Sequence, residues 1–153
     1  MGLGMVRHGD EIWQYYGGLP TTHGDYDLKR NRYLGAIRRV VQRLDGFVSA
    51  DADYTGGKII TPPLQFEGVR LQLNVDCGAL GEVWVELLDE RSLPIEGFTM
   101  DDAVSADRNG VAQEVWWKQG PDVGKLAGRF VRLRIRMRAA KLYAFQFVDA
   151  EKT

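Results

Sequence analysis

The side chains in this chain that could do chemistry are few and widely spaced. Asp51 and Asp53 form a D-x-D, and Asp101 and Asp102 follow much later. Carboxylates at alternate positions can hold calcium through oxygen ligands, but the rest of a calcium loop does not follow, so turn acids in water are the plainer assignment. His8 and His23 are the only histidines, too few for a histidine-rich metal site, and no serine or cysteine stands in a nucleophile elbow. The glycines of GLG and YTGG lack the lysine and hydroxyl residue of a phosphate loop. Cys77 is the single cysteine, which excludes an intramolecular disulfide and a cysteine-built cluster and marks it as a small buried residue. Catalytic residues, metal ligands and cofactors are therefore assigned to none of these positions.

Two other groups carry more information. In Arg129 to Met137, RFVRLRIRM, apolar and basic residues alternate, so Val131, Leu133, Ile135 and Met137 point to one face of a strand and Arg132, Arg134, Arg136 and Arg138 to the other. Guanidinium groups in a row can grip carboxylated sugars or phosphate. The alternative is a cross-strand ladder with Glu82, Glu86 and Asp76, each exposed pair contributing about 0.2 to 1 kcal/mol, and the balanced charge of the chain favours it. Along EVWWK, parity puts Val115 and Trp117 on one face and Glu114, Trp116 and Lys118 on the other, so one indole is core and one is outward. Trp84 is outward by the same count, between Glu82 and Glu86. An exposed indole beside charges can stack on a sugar ring or form the patch on which a neighbouring domain docks. Trp84, Trp116, Glu86 and Arg134 are thus the candidate residues for carbohydrate binding or docking.

The elements that must position them are strands. Met5 to Val6 and Glu11 to Tyr16 flank the turn residues Gly9 and Asp10, and the aperiodic GGLPTTHGDYDLKRNRY reads as a connecting loop. Ala36 to Leu44 leads into Asp45-Gly46, a hairpin signal, and on to Phe47 through Ala50, which is expected to open the main domain. Lys58 to Thr61 precedes Pro62-Pro63 and suits an edge. VRLQLNVDC and GEVWVELLD are expected to form an adjacent antiparallel pair. Ile95 to Met100 is read as a short strand, DDAVSADRNG as a polar loop, Val111 to Lys118 as a strand, Asp122 to Leu126 as one helical turn, and Leu142 to Val148 as the last strand. About eight strands with frequent turns and no repeat give an all-β fold, an antiparallel β-sandwich of jelly-roll type.

Composition agrees. A chain of 153 residues suits one core that buries about 70% of the unfolded surface. Twenty basic residues against 21 acidic ones leave a net charge of -1, with pI near 6.1, which argues against a general affinity for nucleic acid or an anionic membrane. No apolar run is long enough to span a bilayer, and MGLGMVRHGDE lacks the hydrophobic region of a signal peptide. The compartment stays unassigned, since an excised fragment would carry no such signal.

The ordered pieces DGFVSADADYTGGKIITPPLQFEG, LQLNVD, VWVELLDE, PIEGF, EVWWKQG and LAGRFVRLRIRMRAAKLYAFQF together resemble the C-terminal β-sandwich of a group of bacterial proteins. There the sandwich follows a five-bladed β-propeller similar to glycoside hydrolases of the furanosidase and sialidase-like kind. The resemblance covers Ile37 to Phe147 and implies that DEIWQYYGG and TTHG are the last outer strands of the propeller, with His23 either structural or near the active-site mouth. The implied organisation is a propeller-strand remnant over 1–24, a linker over 25–35 and the sandwich over 36–150. A propeller of five blades needs roughly 200 residues, and the carboxylate pair of glycoside hydrolysis would lie in those blades. The expectation is therefore a non-catalytic accessory module of a glycoside hydrolase that packs on or extends its propeller. The alternative is a carbohydrate-binding module with an aromatic platform. The implied partners are the propeller domain or a carbohydrate. The Glu11 to Tyr16 strand is expected to pair with a sheet edge, its own or that of a second copy, giving self-association.

Overall fold

The computed structural model describes residues 4–18 and 36–150. Within them the chain is all-β apart from one short 3-10 turn, Gly124–Leu126, where the sequence placed a helical turn. It divides into two compact units, Met1–Gly46 and Phe47–Thr153.

In the first unit, β1 (Met5–His8), β2 (Glu11–Gly18) and β3 (Ala36–Arg43) form an antiparallel sheet in the order β1-β2-β3. Gly9, at φ 60°, supplies the turn between β1 and β2, a backbone region open to glycine at little steric cost. The Asp45-Gly46 hairpin expected from the sequence does not form. A two-residue turn of the favoured mirror-image type needs positive φ at both central residues, whereas Asp45 alone has it, at 53°. Gly46 N–H donates to the Arg43 carbonyl at 3.0 Å in a turn, but Phe47 through Ser49 stay outside any strand, and β3 pairs with β2 from Glu11↔Arg43 to Gly18↔Ala36. Ala36–Arg43 thus falls in the first unit and does not open the sandwich. The linker read over 25–35 and His23 lie outside the described residues.

In the second unit, β4 (Ala50–Ala52), β5 (Gly57–Ile60), β6 (Arg70–Asp76), β7 (Glu82–Leu88), β8 (Ala103–Val104), β9 (Gly110–Glu114), β10 (Trp116–Trp117), β11 (Arg132–Arg138) and β12 (Ala140–Val148) follow in order. They build two larger antiparallel sheets, β5-β11-β7 and β4-β12-β6-β9, and a small pair, β10-β8. The inward rows predicted by the period of two meet in one core. Leu71, Leu73 and Val75 come from one sheet, and Val83, Val85, Leu87, Leu133, Ile135 and Met137 from the other. This is the expected sandwich, with β5 at an edge and Pro62-Pro63 just beyond it.

One pairing differs from expectation. β6 and β7 do not pair with each other; β6 lies between β12 and β9, and β7 lies beside β11. Their connection crosses from sheet to sheet, so their apolar rows face each other across the core. Gly81 makes the crossing sterically feasible: a Cβ there would stand 1.8 Å from the Cys77 carbonyl oxygen and 2.4 Å from that of Ala139. The strand read over Val111 to Lys118 is likewise divided, because β9 pairs with β6 while β10 turns away to β8.

Candidate functional site

The arginine row is positioned by β11, whose neighbour β7 places Glu86 opposite Arg134, Trp84 opposite Arg136 and Glu82 opposite Arg138. Each guanidinium finds an internal partner. Arg134 Nη1 donates to Glu86 Oε2 at 2.6 Å and Arg138 Nη2 to Glu82 Oε2 at 2.5 Å. The Arg136 guanidinium lies 4.4 Å from the Trp84 ring centroid, and Arg132 Nη1 donates to the Thr61 carbonyl at 3.2 Å. Carboxylates thus neutralise Arg134 and Arg138, while Arg136 rests on a ring and Arg132 on a carbonyl with its Nε enclosed and without a partner; the ladder stabilises the sheet. Asp76, read as a third acidic partner, is not one. It sits on β6 in the other sheet, opposite Lys141, and accepts from the Gly78 N–H.

Glu86 is only 3% exposed, although the alternation places it on the outer face. The cause is the segment after β7. Pro94 bridges back to Leu88, Leu87 N–H donates to the Phe98 carbonyl, and Met100 N–H donates to Glu86 Oε1 at 3.2 Å. Ile95 to Met100, read as a strand, is instead this turn-rich cover. A carboxylate so enclosed holds Arg134 and the covering loop in place and is withdrawn from ligands.

The two adjacent tryptophans divide as parity requires. Trp117 is buried, with its Nε1 donating to the Val85 carbonyl at 2.9 Å and its ring edge-on to Phe98 at 5.0 Å. Trp116 is 48% exposed. It stands on β10 opposite Val104 and forms one wall of a cleft of about 350 Å³. Ser105, Asp107 and Arg108, from the loop after β8, and Gln113 and Glu114, from β9, line the rest. Within that lining, Ser105 Oγ and Gln113 Oε1 are enclosed with no hydrogen-bond partner. Glu114 is held by Arg70, Nε to Oε1 3.1 Å. Trp84, Glu86 and Arg134, grouped with Trp116 by the sequence, do not line this cleft. Ser105, Asp107, Arg108 and Gln113 were missed; the signal available for the first three was a polar loop, DDAVSADRNG, closely preceding an outward tryptophan, and for Gln113 its place on the strand leading to that tryptophan.

Of the acids read as turn residues, Asp53 and Asp102 cap turns, whereas Asp51 stands in β4 opposite Lys141, 3.5 Å from its Nζ. Asp51 accepts from Ser49 Oγ at 2.5 Å, and Asp53 accepts from Thr55 Oγ1 at 2.6 Å and from the Thr55 N–H at 2.8 Å. These bonds hold both carboxyls below their ordinary value, with Lys141 adding to the effect at Asp51. Asp102 accepts from Thr99 Oγ1. Among the described residues no group of three or more His, Cys, Asp and Glu is placed to hold a metal ion. Cys77 is fully buried, its Sγ 3.3 Å from the Ala106 carbonyl oxygen, and burial with the nearby Asp76 and Asp107 pushes its thiol up to about 11. In the first unit, Trp13 is stacked on His8 at 4.0 Å, capped by Arg39 at 4.0 Å, and tied through Nε1 to Glu11 at 2.7 Å.

No protein-family model, curated protein or solved structure matches the chain.

Proposed function

We propose that this chain is a non-catalytic accessory part of a larger glycoside hydrolase, in which the sandwich packs on or extends a catalytic β-propeller. The three-stranded sheet of the first unit belongs, on this proposal, to that propeller. The observation that carries it is the sheet itself. Ile12 is the one buried hydrophobic residue among the described residues of the unit, while Met5, Val6, Tyr15, Tyr16, Ile37, Val40 and Val41 are exposed. By register, Met5, Ile12, Tyr16 and Val40 share one face, and Val6, Trp13, Tyr15, Ile37 and Val41 the other. A sheet that exposes apolar side chains among polar ones on both faces gains from cover on both sides. A propeller blade has such cover, because it is packed between its neighbours. The enclosure of Glu86 and the internal pairing of the arginine ladder also speak for a sandwich that supports and does not catalyse.

The test is hydrogen exchange on the full chain, alone and with a separately produced furanosidase-type five-bladed propeller, alongside assays on aryl furanosides and sialosides. The expected result is fast exchange in β1, β2 and β3 relative to β6, β7 and β11, slowed by the propeller, and no turnover by the chain alone. Turnover, or full protection of the three-stranded sheet in a monomer, overturns the proposal.

A further inference from the structure

We infer that the cleft beside Trp116 is a binding site for one neutral sugar residue, stacked on the exposed indole and hydrogen-bonded by Ser105 and Gln113. The inference stands apart from the propeller reading, since it needs only the second unit. Three observations lead to it.

The first is shape. At about 350 Å³ the cleft is at the small end of ligand pockets, about 300 to 1,000 Å³, which suits a single ring better than a peptide or a dinucleotide. The second is the pairing of an apolar plate with unmet polar groups. Trp116 keeps nearly half its surface open, and a flat indole face complements the axial C–H face of a sugar ring. Ser105 Oγ and Gln113 Oε1 lack partners, although buried polar atoms are ordinarily satisfied. Both residues line the cleft, and the Ser105 χ1 and the broad terminal torsion of Gln113 are the rotations through which, on this proposal, either atom meets a sugar hydroxyl.

The third observation is charge. Arg70 already neutralises Glu114, so Asp107 and Arg108 leave the lining with one charge of each sign. A balanced lining favours a neutral ligand. A nucleotide or sulfated sugar calls for clustered basic groups, and a quaternary ammonium calls for a cage of several rings.

The full chain is applied to a printed array of neutral and acidic oligosaccharides, and the strongest neutral glycan is titrated calorimetrically. Trp116→Ala, Trp116→Tyr, Gln113→Ala and Trp84→Ala are compared, with thermal melts to confirm that each folds. The expected result is binding of a neutral glycan, weakened about tenfold or more in Trp116→Ala, partly restored in Trp116→Tyr, weakened in Gln113→Ala and unchanged in Trp84→Ala. No glycan bound, acidic glycans alone bound, or loss in Trp84→Ala without loss in Trp116→Ala overturns the inference. None of these outcomes bears on the exchange of the first unit, so the two proposals fail separately.

Discussion

Replacing Arg134 by alanine separates an enclosed ion pair from an exposed one within a single ladder. The Glu86 side chain is 4% exposed and that of Arg134 33%, whereas in the neighbouring pair Arg138 is 53% exposed and Glu82 32%. Removing one member of a fully buried pair costs about 3 to 5 kcal/mol, because a desolvated charge is left behind. Solvent reaches Arg134 from one side, so the expected loss for Arg134→Ala is reduced to about 2 to 3 kcal/mol. Arg138→Ala, in the same strand and sheet, is expected to cost about 0.2 to 1 kcal/mol. Adding Glu86→Gln to Arg134→Ala removes the stranded charge and keeps an acceptor for Met100 N–H, and is expected to recover about 1 to 2 kcal/mol. Urea unfolding followed by tryptophan fluorescence, with circular dichroism as a second probe, reads all three, the Arg134→Ala midpoint falling by about 1 to 2 M. An Arg134→Ala loss within about 0.5 kcal/mol of that for Arg138→Ala, or a double variant no better than the single one, refutes the argument that burial decides the energy of this pair.

Gly81→Ala places a methyl group against two backbone carbonyls at the crossing between sheets and is expected to cost about 3 kcal/mol or more. A thermal midpoint within a degree or two of the parent's shows that the crossing is not tight. The Cys77 thiol, buried and pushed up to about 11, is expected to resist alkylation at pH 8 until the sandwich opens. Labelling by iodoacetamide at the rate of a free thiol in native buffer contradicts that burial. Asp53 is held below its ordinary 3.8 by Thr55. Its contribution to stability is therefore complete above that ordinary value and is lost as pH falls through the lower folded one. Carboxyl-carbon NMR titration checks this, and a midpoint at or above 3.8 removes the effect, while Asp53→Asn is expected to flatten the acid limb of the stability curve.

The sequence by itself determined what a period of two can determine. It settled which residues of β6, β7 and β11 face inward, that Trp117 and not Trp116 enters the core, and that the arginines of β11 share the outer face, where Arg134 and Arg138 meet glutamates and Arg136 meets Trp84. These are local consequences of strand geometry, since alternate side chains must leave opposite faces whatever the strand pairs with. Tertiary structure alone decided the partners. The same alternation suits pairing within a sheet and facing across a sandwich, so β6 and β7 were read as neighbours where they are opposed. β3 was read as opening the sandwich, where its hydrogen bonds run to β2. Glu86 has the polarity of an outer residue and is buried because Pro94 to Met100 folds over it, and the cleft beside Trp116 exists because β10 leaves β9 to pair with β8. Burial and convergence of this kind depend on segments far apart in the chain coming together, and no local pattern encodes that meeting.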